Sequence, residues 1–111
     1  MAVYTPAPLI KSAVVGNGAA NIATWRVRDT ANVNIHRTTV IDTATAGRHM
    51  TIEVGATATD TAAQKIMDAQ ALTANVQLVQ NWWIVCAIND YFEGFADATD
   101  IVGASYGYTV A

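Results

Sequence analysis

The side chains able to act as soft or borderline metal ligands are His36, His49 and Cys86. A zinc pair needs ligands at short spacing, and neither H-x-x-x-H nor C-x-x-C occurs. His49 reads as a residue on the polar face of a strand, His36 as a strand residue, and Cys86 as a small buried side chain. The acid pairs Asp90/Glu93 and Asp97/Asp100 have the residue types for general acid–base chemistry, given a cleft that shifts them. Both fall in turn signals, where carboxylates bond local amides. They also lack the spaced Asp pattern of a calcium loop. Ser12 and Ser105 are the two serines, and neither sits in G-x-S-x-G. Gly16-Asn17-Gly18 lacks the lysine and helix that follow in a phosphate loop. The expectation is a chain that is not an enzyme, with no catalytic residue, metal or cofactor.

The aromatic residues are a different matter. In an extended chain Trp82 and Trp83 point to opposite faces, so one ring can be core and the other exposed. Burial of both at the rim of a sandwich is the bland alternative. An exposed Trp stacks on a sugar or base, or anchors a protein interface. Residues 1–8 hold both prolines, Pro6 and Pro8, which lack an amide donor and bias their predecessors toward extended backbone. This segment reads as an extended N-terminal arm that lies along the body or reaches a neighbour. The candidate interface is therefore Tyr4, Pro6, Pro8 and at least one of Trp82 and Trp83. A homo-oligomer or multi-copy lattice is the expected working state.

These residues need elements to position them. The chain has 111 residues, enough for one domain with one modest core. Its 52% apolar content rests on Ala and Val, with only three Leu, and Thr is abundant beside them, a bias toward strands. Charged residues make up 14% and the net charge is −3, so there is no basic patch for a phosphate backbone and no nucleic-acid partner is expected. The longest apolar run, Trp82 to Ile88, falls far short of the ~20 residues of a spanning helix. Met1 to Pro6 lacks the charged and apolar regions of a signal peptide. A lone cysteine fits synthesis in a reducing compartment.

Strands are expected at Leu9 to Val15, Asn21 to Arg28, Val33 to Asp42 and Arg48 to Val54. Further ones fall at Asn75 to Val79, Trp82 to Ala87, Tyr91 to Ala96 and Ile101 to Val110. The third breaks parity: Val33, Ile35 and Ile41 share a phase that Val40 leaves, which a bulge or two-sided burial explains. Residues 62–70 pass for a two-turn helix by propensity, while Lys65-Ile66-Met67 reads equally as a short strand. Turns at roughly ten-residue intervals predict an all-β, antiparallel sandwich, jelly-roll-like, of about eight short strands. The arm would be 1–8 and the single β-sandwich domain 9–111. Trp25, Val27, Met50, Ile52 and Val54 are the expected core.

The order of features resembles a known group. An Ala/Thr-rich amino end leads to a strand with Trp25, then Val40-Ile41-Asp42-Thr43-Ala44-Thr45 precedes Met50-Thr51-Ile52-Glu53-Val54. Later come Ala74-Asn75-Val76, the turn Ala87-Ile88-Asn89-Asp90-Tyr91 and a final strand ending Tyr108-Thr109-Val110. Over residues 10–110 this is similar to the small β-sandwich virion proteins of tailed bacteriophages: capsid decoration proteins, head fibres and small tail-associated modules. The resemblance implies a structural role without an active site. Its leading form is a decoration (cement) protein, made in the host cytoplasm, that binds and stabilises the capsid in many copies. The major capsid protein or another virion protein would be its partner, and no membrane is involved. A tail or connector module, or a carbohydrate- or receptor-binding β-sandwich, is the alternative.

Overall fold

The computed structural model describes residues 2–27, 32–56 and 65–111. It contains eight strands: β1 Tyr4–Val14, β2 Arg26–Val27, β3 Asn32–Asp42, β4 Arg48–Gly55, β5 Lys65–Leu72, β6 Gln77–Cys86, β7 Tyr91–Ala96 and β8 Ile101–Val110. They form two antiparallel four-stranded sheets, ordered β1-β8-β3-β6 and β2-β7-β4-β5. The chain crosses between sheets at every connection except β4 to β5, which gives the double-Greek-key order of a jelly roll. The expected fold class holds.

The core lies between the sheets. Trp25, Met50, Ile52 and Phe92 are fully buried there, Val27 is buried, and Val54 packs partly exposed against them. Val27, Met50, Ile52 and Val54 follow from strand phase. Trp25 sits just before β2, and its indole Nε1 donates to Gly103 O on the opposite sheet, 3.1 Å away. Gly103 has no room for more: a Cβ there would sit 3.0 Å from that nitrogen. The small-residue face of β8 is thus the face over which Trp25 lies.

The parity break in the third strand is a bulge. The β3 ladders with both β6 and β8 slip between Ile35 and Arg37, leaving His36 between them. Val33 and Ile35 face the core before it; Thr38, Val40 and Asp42 do so after it. Gly107 lies at the slip, against the Asn34–Ile35 backbone, where a side chain would not fit.

Two expectations change, and one open alternative is resolved. Asn21 to Arg28 is not one strand: Ala19–Thr24 is a 3₁₀ helix that sends Ile22 into the core, and only Arg26–Val27 pairs as strand among the described residues. Alternation of Ala23, Trp25 and Val27 imitated a strand where the chain crosses between sheets. Of the two courses open to the N-terminal segment, residues 2–8 take the one along the body. Tyr4 to Pro8 are the first half of β1, registered on Val110 to Tyr106 of β8. The two segments around Asn75–Val79 and Trp82–Ala87 are one strand, β6. Lys65–Leu72 is strand; residues 62–64 lie outside the described ones.

Candidate functional site

Sheet geometry gathers the candidate interface residues on the outer face of the first sheet. Strand parity turns Tyr4, Pro6 and Pro8 of β1 outward, together with Tyr106, Tyr108 and Val110 opposite them on β8. Asn34 of β3 lies between Tyr108 of β8 and Val85 of β6. Trp83 of β6 is outward and 67% exposed, and Tyr4 and Val85 are also exposed. The His36 ring fills the gap left by the bulge. Its centroid lies 4.4 Å from Trp83 and 4.9 Å, edge-on, from Tyr108. Tyr4, Asn32, Asn34, Trp83, Val85 and Val110 line one shallow depression. None of these side chains is Lys, Arg, Asp or Glu.

Trp82 does not join this surface. It turns inward, packs edge-on against Phe92 with centroids 5.9 Å apart, and contacts the core while partly buried. The two neighbouring tryptophans therefore split between layers, as extended geometry requires.

The residues with chemical potential are dispersed. His36 is on the outer face of the first sheet. His49 is on the outer face of the second, with Nδ1 3.0 Å from Asp97 Oδ2. Cys86 is buried at the end of β6, and burial, with Asp90 nearby, pushes its thiol up to about 11. Among the described residues no three His, Cys, Asp or Glu side chains gather as a metal site. Of the acid pairs, Asp90 accepts the Ala87 amide at 3.0 Å, closing the β6–β7 turn. Asp97 accepts the His49 amide at 3.0 Å. Burial pushes the Asp97 carboxyl up, but the His49 amide and ring outweigh it and hold it below the usual range. Arg48 grips Asp100 through Nε and Nη2, at 3.0 and 2.9 Å. That hydrogen bonding holds the Asp100 carboxyl below its ordinary value.

Sequence reasoning missed a second feature. Glu53 and Glu93 stand opposite each other on β4 and β7, on the outer side of the second sheet, and both are fully buried. Arg26 Nε donates to Glu93 Oε2 at 2.6 Å, and its guanidinium lies over the Tyr91 ring, 4.8 Å from the centroid. With no accessible surface, these carboxylates are out of a substrate's reach. Alternation assigns Glu53 to the polar face; it carries no information about what covers that face.

No protein-family model, curated protein or solved structure matches this chain.

Proposed function

We propose that this chain is a structural, non-enzymatic module that docks the outer face of its first sheet onto a larger assembly. In its specific form it is a small virion protein of a tailed bacteriophage, decorating the capsid in many copies. One observation carries the docking reading: Trp83 stands 67% exposed within a surface of Tyr4, His36, Tyr108, Val85 and Val110. Trp and Tyr are the residues that most often anchor protein interfaces, and a contiguous apolar patch on a small domain favours a partner. Depletion of charge at the centre of the patch matches the composition of interface cores. The virion assignment rests on the sequence resemblance, and the jelly-roll order is common among capsid proteins. Weak contacts of one small copy become firm occupancy when many copies bind together.

The test is binding of the purified full chain to capsids of the phage that encodes it, followed by occupancy in cryo-EM. Tyr4→Ala and Tyr108→Ala together should lower occupancy while the melting transition stays in place. Full occupancy with both changes would overturn the assignment of this face. A second reading has its own observation: the Trp83 and Tyr4 rings share a depression with the Asn32 and Asn34 amides, a layout suited to a sugar ring. Saturable binding on a glycan array, lost with Trp83→Ala, would favour that module over a capsid partner.

A further inference from the structure

The described strands of the sandwich leave four sheet edges, and they are not alike. A free edge offers unpaired N–H and C=O groups to any other strand, and proteins block such edges with prolines, charges, bulges or brevity. On β1, Val3 and Ala111 exchange both backbone hydrogen bonds, at 2.7 and 2.9 Å. By alternation Thr5 and Ala7 also face β8, so Pro6 and Pro8 face outward, where each removes a donor. The described part of β2 is two residues long. The β5 ladder is irregular, with Ala69 in the left-handed region at φ 46° and a Lys65–Asp68 contact at 3.6 Å.

Edge strand β6 has none of these devices but a single slip opposite His36. Its ten residues include no proline and no charge. Carrying the alternation from Val3–Ala111 through β8 and β3 turns the N–H and C=O of Trp83 and Val85 to the open side. The Thr43 amide bonded to Asp100 O at 2.9 Å sets the phase beyond the bulge, and Gln77, Val79 and Asn81 face outward as well. The whole strand therefore presents one uninterrupted row of backbone groups.

From this we infer that β6 pairs antiparallel with β6 of a second copy, across a two-fold axis at Asn81. That register sets Gln77 against Val85, Val79 against Trp83 and Asn81 against Asn81, using every outward backbone group of both strands. Val79 with Trp83 is a favourable β-branched–aromatic cross-strand pair. The absence of charge on β6 means self-pairing puts no like charges opposite. The nearest charge, Arg37, bonds Asn81 from β3. The two Arg37 backbones would be three strand spacings apart, roughly 14 Å, and each guanidinium is held by the Asn81 of its own chain. The prolines of β1 oppose head-to-tail addition of β6 to the next copy's β1, so the pairing closes as an isologous dimer instead of growing into a filament.

Sedimentation velocity of the full chain tests this. The wild type should run at twice the chain mass. Asn81→Lys should run as single chains, because it sets two like charges on the axis beside the two Arg37 guanidiniums, whereas Asn81→Asp, whose carboxylate Arg37 offsets, should weaken the dimer less. An equimolar mixture of the two should regain the dimer. A single-chain wild type, a species larger than the dimer, a dimer indifferent to Asn81→Lys, or a mixture that stays dissociated would each overturn the pairing. Amide hydrogen exchange on the wild type needs no variant. Protection of Val79, Asn81, Trp83 and Val85 supports it, and free exchange at all four overturns it. The docking test uses Tyr4 and Tyr108, so either reading can fail without the other.

Discussion

The two outer faces of the sandwich are built on the same alternation and finished in opposite ways. On the second sheet the outward polar groups pair, Arg26 with Glu93 and His49 with Asp97, and Arg48 at the start of β4 reaches Asp100. On the first sheet, the surface around Trp83 stacks aromatic on aromatic and ends in solvent. The difference is that the second face carries ion pairs made within the chain, while the first leaves an aromatic surface in solvent, the feature on which the docking proposal rests. Low overall charge makes the contrast possible, because much of the charge that exists is committed to the second sheet.

The most severe way to break that contrast is to remove the cation from the ion-paired face. Arg26→Met leaves the Glu93 carboxylate buried without its salt bridge and should cost about 3–5 kcal/mol, read from the urea midpoint. A stability change within about 0.5 kcal/mol would mean that the ion pair is ornamental. The adjacent tryptophans sharpen the comparison next. Trp82→Ala, which empties a place against Phe92, should cost about 2 kcal/mol. Trp83→Ala should stay within about 0.5 kcal/mol, because its ring meets mostly solvent. Equal losses would put both rings in the core.

Acid should act on the second sheet first. The Asp97 and Asp100 carboxyls are held below their unfolded values, so their contribution is complete above the ordinary carboxylate range. It is lost as pH falls through the lower folded values. Stability should decline at low pH, and Arg48→Ala should make the part due to Asp100 vanish from the profile. An unchanged profile in that variant would refute the assignment. The smallest effect concerns Cys86, whose thiol is raised to about 11 by burial and Asp90. It should resist alkylation at pH 8 in the native protein and react promptly in urea. Rapid labelling of the native protein would show that the end of β6 opens.

Much of the architecture was legible because it rests on period and punctuation. The bounds of Ile101–Val110 and Tyr91–Ala96 follow from alternation closed by Asn-Asp and Asp-Ala-Thr-Asp turns. Asn89 adopts the positive φ, 72°, that such a turn asks of Asn. The bulge at His36 was visible as a broken phase, though periodicity could not choose it over two-sided burial. The 3₁₀ segment Ala19–Thr24, kinked at Asn21, is not legible because Ala23, Trp25 and Val27 alternate with polar residues there as they would on a strand. Tyr4 and Trp83 were marked separately, yet their meeting on one face depends on the strand order, which no local signal encodes. The prolines leave both courses open to the N-terminal segment, along the body or to a neighbour, because the sequence does not say which side of β1 is an edge.

The order of the strands also sets a timetable. Among the described strands, β4 and β5 are the one hydrogen-bonded pair that follow each other in sequence; β1 must find β8 across nearly the whole chain. Loop closures of that length come before the contacts that reward them, and β-sandwiches of such topology fold in about milliseconds to seconds. A hairpin of β4 and β5 can form early, while β6 finds its one partner, β3, only across a longer stretch of chain. The strand with the least protected edge is thus left open during the slow search. Crowded newborn chains would meet through it before either is finished.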